Sequence, residues 1–429
     1  MTTPPRDFPE IDPALWRGLT QRRVSRRELF RYAGVGAGAV GLGAFLAACG
    51  VGGGGNPTTS GSSPAGTSEL KKIYGDGKPA GELNFANWPL YIDVTSKGNS
   101  PTLNQFTKET GIEVNYKTAI PDANPFVAKL IPVLQSDGDT GWDLIVITNG
   151  GAVERMIKLG FLTPLDHTFL PNFAKYASDA VKDPDYDPGN RFTAAWQSGY
   201  TAIGYNSKFV DPAPTSFKDF LDPKYKGKVG VFGNNQDLPC PALVYMGFDV
   251  QKSTPDQWQK TADMLSSARD KGQFRGFFDQ GYIDKLENED TIITQAWSGD
   301  IFIAAAPKDF GGDGFPEMKL ALPGEGGVLW TDNMCIPLNA QHPVDAIMMM
   351  DFVYQPKIAA QIADYVWYIS PVPDAQEIVI QDLKDPTVGK SPLVFPSAQD
   401  LAGVQRYKVF KDDAEEEEWN SIWEPVYSS

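Results

Sequence analysis

From residue 82 onward, apolar runs of strand length alternate with segments that have the apolar periodicity of a helix. Runs and helical patterns follow one another at 83–87, 102–110, 112–116, 126–135, 142–148 and 152–159. Further helices are predicted at 255–268, 343–354 and 358–365. Strands and helices that take turns in this way predict an α/β fold with largely parallel strand pairing. A chain of 429 residues, 41% of them hydrophobic, is long enough for two lobes with separate cores.

The first 48 residues have the features of an export signal. Residues 25–31 read Ser-Arg-Arg-Glu-Leu-Phe-Arg, which resembles a twin-arginine (Tat) signal. The apolar stretch at 32–48 is rich in glycine and is shorter than the ~20 residues of a transmembrane helix. It ends at Leu46-Ala47-Ala48-Cys49-Gly50, which resembles a bacterial lipobox. We therefore expect lipid on Cys49, with an uncleaved signal anchor and an incidental Cys as the alternative.

The segment after Cys49 has the composition of a flexible tether. Residues 50–67 are rich in Gly, Ser, Thr and Pro, and we take 49–75 as a lipid-anchored linker. Its reach is about 20–25 Å for a chain of this length. The expected location is therefore the outer face of the cytoplasmic membrane or the periplasm.

Charge and cysteine content exclude several classes of function. Residues 1–48 hold seven Arg and four acidic residues, so the rest of the chain holds 31 basic and 50 acidic residues. This acidic part repels nucleic acid and anionic lipid, whereas it attracts cationic ligands. Three Cys and two His provide neither a zinc ligand set nor a disulfide framework, so we expect no metal and no cofactor. Cys240 and Cys335 are predicted to be small buried residues rather than a disulfide, and the acidic run at 412–418 a solvated helix face rather than a cation site.

Several aromatic residues lie near the ends of predicted strands, where α/β folds place ligand sites. Trp88 and Tyr91 follow the first strand, Trp297 follows 292–295, Trp330 follows 326–329 and Tyr368 lies beyond a late helix, with acids at Asp237 and Asp332. Aromatic rings pack on methylene groups and attract ammonium groups by ~0.5–2 kcal/mol each, and a carboxylate can hold each charged end. The pattern indicates a ligand with an aliphatic body and cationic ends, although any one of the tryptophans taken alone is more often a core residue.

Eight short segments carry a wider resemblance. They are 83–92 (LNFANWPLYI), 106–112 (FTKETGI), 142–146 (WDLIV), 201–206 (TAIGYN), 216–220 (SFKDF), 225–227 (YKG), 324–332 (GEGGVLWTD) and 336–337 (IP). In their order and spacing the chain resembles the spermidine/putrescine-binding proteins of ABC importers, the PotD-like family. The resemblance implies a periplasmic-binding-protein type II fold, in which two α/β lobes joined by crossover strands close on a ligand cleft. We expect lobe 1 to comprise 76–200 and 333–376, and lobe 2 to comprise 201–332 and 377–429.

The resemblance also implies a binding site. The positions that match the family's site are Trp88, Tyr91, Trp297, Trp330 and Tyr368 as an aromatic box, Asp332 and Asp237 as acids, and Thr148, Asn234 and Asn420 as polar residues. Asp237 stands where the family has Glu, and Thr148 where it has Ser. Four positions depart from the spermidine binders: Leu90 replaces a Glu, Asn234 an Asp, Gly150 a Tyr and Asn420 a Gln. Because two of four expected carboxylates are neutral here, we expect a diamine such as putrescine to be preferred over spermidine. Asp300, three residues after Trp297, could restore one charge.

Two other functions remain as alternatives. One is a receptor for another small amine or organic solute, and the other is a hydrolase that uses Asp237 and Asp332 as paired carboxylates. No glycine-rich dinucleotide loop, Cys or His cluster or nucleophile elbow favours an enzyme. The expected partners are a small polyamine and the permease and ATPase subunits of an ABC importer, with the receptor itself a monomer.

Overall fold

The computed structural model describes residues 67–428 except 96–97, 121–122, 279–280, 306–313 and 402. The predicted export signal and Cys49 lie outside the described residues. Within the predicted linker, Thr67–Tyr74 forms helix α1, and Tyr74 is buried with its hydroxyl donating to the carbonyl of Pro164 at 3.1 Å. None of the helices in the described part of the chain combines the length and the apolar character that a membrane crossing requires.

The strands and helices alternate through most of the described chain. The strands are β1 (Glu82–Asn87), β2 (Glu113–Thr118), β3 (Leu144–Thr148), β4 (Thr193–Asn206), β5 (Val229–Phe232), β6 (Phe274–Phe278), β7 (Ile293–Trp297), β8 (Met318–Ala321), β9 (Val328–Cys335) and β10 (Gln405–Arg406). The remaining helices are α2 (Pro101–Thr110), α3 (Ala123–Gln135), α4 (Ala152–Lys158), α5 (Pro171–Tyr176), α6 (Pro239–Tyr245), α7 (Pro255–Asp270), α8 (Tyr282–Glu287), α9 (Ser298–Ala305), α10 (Pro343–Phe352), α11 (Pro356–Val366), α12 (Ala375–Gln381), α13 (Pro386–Gly389) and α14 (Asp413–Tyr427).

Local sequence accounts for helix ends such as those of α2. The Ser100 side chain accepts the N–H of Leu103, and Pro101 occupies the first turn, where its missing N–H costs nothing. Gly111 ends the helix at φ 77°, a left-handed conformation that glycine adopts without strain, and its N–H donates to the carbonyl of Thr107. The helix predicted at 102–110 is therefore confirmed to within one residue.

The strands form one mixed sheet in the order β2-β1-β3-β9-β4-β7-β5-β6, with β10 beside β9 and β8 beside β4. Pairing is parallel in the two outer parts, β2-β1-β3 and β7-β5-β6. It is antiparallel at the centre, where β9 pairs with β3 and β4, and β4 pairs with β7. The predicted parallel pairing thus holds only away from the centre, because β4 and β9 cross between the two α/β lobes.

Each outer part of the sheet has a core cluster of its own. Apolar residues of α3 and α4 pack with β3, and those of α8 and α9 pack with β7. All residues of β4 and β9 are buried, as expected for strands shared by both lobes. These two strands position most of the candidate site.

The structure places both the cysteines Cys240 and Cys335 and the acidic run at 412–418. Cys240 and Cys335 are both free and buried, so the prediction of small buried residues is confirmed. The acidic run is only partly a solvated face. Glu415 lies 3.1 Å from Lys408 and Glu416 lies 2.8 Å from Arg155, while most of the other acids of the run are exposed.

Candidate ligand-binding site

Asp332 is a buried carboxylate in the middle of β9, opposite Thr148 of β3. The Thr148 hydroxyl donates to its Oδ1 at 2.5 Å, and the Tyr91 hydroxyl donates to its Oδ2 at 2.6 Å. Burial, with a smaller contribution from the negative charge of nearby Asp237, raises the pKa of Asp332 to about 6, although these two hydrogen bonds act to lower it. Asp332 is therefore a carboxylate whose charge is only partly compensated.

Aromatic rings enclose this acid. Tyr91 and Tyr368 meet edge to face with ring centroids 5.5 Å apart, and Trp330 lies 5.5 Å from Tyr368. Trp330 faces Gly199 of β4, where an added Cβ would lie 2.5 Å from ring carbon Cζ2 of Trp330. Only glycine at position 199 allows the tryptophan to lie against the sheet.

Asp300, in the first turn of α9, is a second buried acid beside the same rings. Its Oδ1 accepts from the Tyr368 hydroxyl at 2.5 Å, and its Oδ2 accepts from the Tyr282 hydroxyl at 2.9 Å. The oxygen of Tyr282 in turn accepts the backbone N–H of Trp297 at 3.1 Å. Asp300 thus connects the rings around Asp332 with the strand end that carries Trp297.

Asp237 is a third buried acid and has more donors than Asp332. The Asn234 amide donates to its Oδ2 at 2.8 Å, and the indole N–H of Trp297 lies 3.3 Å from both carboxylate oxygens. The hydroxyls of Thr201 and Tyr407 both donate to Oδ1. Burial raises the pKa of Asp237, although all four side chains stabilise its ionised form.

The partners of Asp332 and Asp237 are hydroxyl, amide and indole groups. Within the described chain neither acid forms an ion pair with Lys, Arg or His. Among the residues described, no group of three or more His, Cys, Asp or Glu is arranged to hold a metal ion. An organic cation placed among the rings would supply the missing positive charge.

The structure brings eight of the ten predicted residues into these two connected groups. The first group contains Tyr91, Thr148, Trp330, Asp332 and Tyr368, and the second contains Asn234, Asp237 and Trp297. The hydrogen bonds above do not include Trp88 or Asn420. Trp88 is half-buried after β1 and packs against the core, and the Asn420 carbonyl oxygen accepts from Asn235 at 2.9 Å.

Two placements relative to the strands were wrong. Trp330 was expected after a strand ending at 329, but it lies inside β9, because this strand continues through the centre of the sheet. Trp297 is the last residue of β7 rather than a residue beyond it.

The sequence reasoning missed Thr201, Tyr282 and Tyr407. Thr201 lies two residues from Gly199 on β4, so strand alternation could have indicated it. Tyr407 follows the two-residue strand β10, which has no periodic pattern. Its ring fills the space beside Gly150, where an added Cβ would lie 2.7 Å from Cδ2 of Tyr407.

Comparison with known proteins identifies the family. Residues 139–402 match the family of bacterial extracellular solute-binding proteins. The chain belongs to this family. Because its members are solute-binding receptors, membership supports a receptor over the paired-carboxylate hydrolase.

Several curated proteins that are similar in sequence to this chain are named as polyamine-binding proteins. The chain is 27% identical over 320 residues to the spermidine/putrescine-binding periplasmic protein of Escherichia coli (strain K12), which covers 74% of this chain and 84% of the relative. It is 27% identical over 354 residues to the putrescine/cadaverine-binding protein of Pseudomonas aeruginosa, which covers 81% of this chain and 94% of the relative.

Solved structures confirm the expected fold. The substrate-binding protein PotD of a Streptococcus pneumoniae spermidine/putrescine ABC transporter matches with a TM-score of 0.67 and 22% identity, over 81% of this chain and 98% of that one. The TpPotD lipoprotein of Treponema pallidum matches with a TM-score of 0.66 and 19% identity, over 81% of this chain and 100% of that one. Both are similar in fold, so the prediction of a periplasmic-binding-protein type II fold is confirmed.

Proposed function

We propose that this protein is an extracytoplasmic receptor that captures a small polyamine and delivers it to an ABC importer. The observation that carries the proposal is the set of buried acids Asp237, Asp300 and Asp332 among aromatic rings, with no cationic partner for Asp237 or Asp332 in the described chain. Buried carboxylates are costly unless a positive charge or strong donors compensate them. The names of the curated relatives support a polyamine as the source of that charge.

Within this class we propose a diamine such as putrescine rather than spermidine as the preferred ligand. Tyr91 donates to Asp332, and Tyr368, the other member of this ring pair, donates to Asp300. Asp237 instead accepts from the indole N–H of Trp297. Asp237 therefore forms one anionic end, and Asp300 and Asp332, which share one ring pair, form the other, so the site offers two ends for two ammonium groups. Asn234 donates to Asp237 instead of adding a fourth carboxylate, and Tyr407 fills the space beside Gly150. Both features disfavour a longer ligand with a third charge.

Isothermal titration calorimetry with putrescine and spermidine tests this proposal on the purified protein. We expect putrescine to bind more tightly, because spermidine would bury a third ammonium group between these two anionic ends. Spermidine bound at least tenfold more tightly than putrescine would contradict the diamine preference. Thermal-shift screening with neutral sugars and organic acids serves as the control, and stabilisation by one of these without any amine would contradict the receptor class.

We further propose the assembly in which this receptor works. It would be exported by the Tat route, anchored by lipid on Cys49, and active as a monomer with the permease and ATPase subunits of the importer. We assign 76–200 and 333–376 to one lobe, and 201–332 and 377–429 to the other. Strand β9 pairs with β3 of one outer part, β4 pairs with β7 of the other, and β4 and β9 pair with each other. This pairing supports crossovers close to residues 200 and 332.

A further inference from the structure

Gln197 of β4 is a buried residue of the candidate site whose amide oxygen is unpaired in the part of the chain that the structure describes. It lies opposite Asp332 of β9 in the strand register, and its side chain is 3% exposed. Its carbonyl oxygen Oε1 has no hydrogen-bond partner within the described chain. Because buried polar side chains are nearly always paired, an unpaired amide at this position needs an explanation.

Strand alternation places this amide on the ligand side of the sheet. Gly199 lies against Trp330, and the hydroxyl of Thr201 donates to Asp237. Residues 197, 199 and 201 share one face, since side chains alternate along a strand. Ser198 points to the opposite face, where its hydroxyl lies 2.9 Å from that of Thr331.

Other buried glutamines of the protein use their amides within the fold. Gln295 accepts the N–H of Phe232 at 2.8 Å and donates to the carbonyl of Asp237 at 2.7 Å. Gln273 donates to two carbonyl oxygens, of Phe220 at 2.9 Å and of Asp222 at 2.8 Å. Gln197 differs from them because its buried Oε1 accepts no hydrogen bond from the described part of the chain.

The hydrogen-bonding groups around Asp332 indicate a role for Oε1 of Gln197. Asp332 has two donors, Thr148 and Tyr91, whereas a carboxylate can accept about four hydrogen bonds. An aliphatic ammonium group has three N–H donors, so it needs acceptors in addition to one carboxylate. A neutral carbonyl oxygen opposite Asp332 supplies one without adding repulsion to Asp237 and Asp332.

We propose that Oε1 of Gln197 accepts a hydrogen bond from the ligand ammonium group that Asp332 binds. The inference rests on the proposed function, since it assigns one more contact to the same amine. It makes Gln197 a binding residue, and it explains why an unpaired amide is kept at the centre of the sheet.

The test compares Gln197→Met with Gln273→Met, using putrescine as the probe. Methionine keeps the length of the side chain and removes the amide. For Gln197→Met we expect about a tenfold or greater loss of putrescine affinity, as for a hydrogen bond to a charged group. The Tm of the ligand-free variant should equal or exceed that of the wild type, because Oε1 of Gln197 has no hydrogen bond to lose among the described residues.

Gln273→Met is expected to behave in the opposite way, with a lower Tm and unchanged affinity, because its amide bonds the backbone away from the site. Gln197→Glu keeps an acceptor oxygen at the same place, so it should bind putrescine several-fold more tightly than Gln197→Met. The three variants separate loss of a ligand contact from loss of structure.

Putrescine binding by the wild type separates failure of the Gln197 proposal from failure of the proposed function. If the wild type binds no putrescine, the proposed function and this inference both fail. If the wild type binds putrescine and Gln197→Met binds it within twofold, the inference alone is overturned. A Gln197→Met protein that loses Tm as Gln273→Met does, or fails to fold, shows a structural amide and also overturns it.

Discussion

Acidification from pH 7 to pH 5 is expected to weaken amine binding through Asp332. Its pKa is about 6, raised by burial and by the neighbouring charge of Asp237. A group with this pKa is about 90% ionised at pH 7 and about 10% ionised at pH 5, while aliphatic ammonium groups with pKa values of about 10 stay charged. If only the ionised acid binds the ammonium group, the affinity falls about tenfold over this range. Asp237, whose pKa is also raised, can only increase the loss.

The stability of the ligand-free protein should change in the opposite direction. The pKa of Asp332 in the folded protein lies above its ordinary value of 3.8, so the folded state holds this proton more tightly than the unfolded chain. The stabilisation from that proton is complete below the ordinary pKa and is lost as the pH rises through about 6. Rising pH therefore improves binding while it removes this contribution to stability.

Calorimetric titration of putrescine at pH 5, 6 and 7 measures the effect. Near pH 6, binding should release about half a proton per ligand from Asp332, which is detected by repeating the titration in buffers of different ionisation enthalpy. Asp332→Asn is the control, because it should bind more weakly and lack the step with a midpoint near pH 6. Affinity that stays within twofold from pH 5 to pH 7, or the same step in Asp332→Asn, would refute the role given to this acid.

Two further predictions concern the aromatic wall and the anchor. Gly199→Ala should lower putrescine affinity at least about tenfold and change the near-ultraviolet circular dichroism, because the added Cβ would lie 2.5 Å from the Trp330 ring. Gly281→Ala is the control. Its added carbon meets no atom within 4 Å, so both the affinity and the spectrum should stay unchanged. Cys49→Ala should move the protein from the membrane fraction to the soluble fraction after signal cleavage, and quantitative membrane fractionation of this variant would exclude a lipid anchor on Cys49.

The local elements of the fold could be predicted because their signals lie within a few residues. The helices at 102–110, 126–135 and 255–268 agree with α2, α3 and α7 to within three residues at each end. Alternation of strands and helices indicated the α/β class. It did not indicate the antiparallel centre of the sheet, because the pairing of β4 with β9 joins segments more than a hundred residues apart.

The site could be predicted only in part, for the same reason. The acids Asp237 and Asp332 and the rings of Tyr91, Trp330 and Tyr368 were noticed near the ends of predicted strands, and the resemblance to a known family assigned them to one site. Contacts between distant segments were missed, such as the hydroxyl of Tyr407 on Asp237, which are 170 positions apart. Asp300 was noticed only for its spacing from Trp297. Its role became clear from two tyrosine hydroxyls, one of them 68 positions away.

Asp332 and Asp237 take their hydrogen bonds from different parts of the sheet. Asp332 is held by Tyr91 and by Thr148 of β3, whereas Asp237 is held by Thr201 and by Trp297 of β7. Each acid is therefore hydrogen-bonded to a different outer part of the sheet. Burial is the main cause of the raised pKa of Asp332, and the negative charge of Asp237 adds to it, so the two acids repel each other in this arrangement. Under the proposed function, a bound dication would attract both acids, and the ligand itself would then hold the two outer parts of the sheet together.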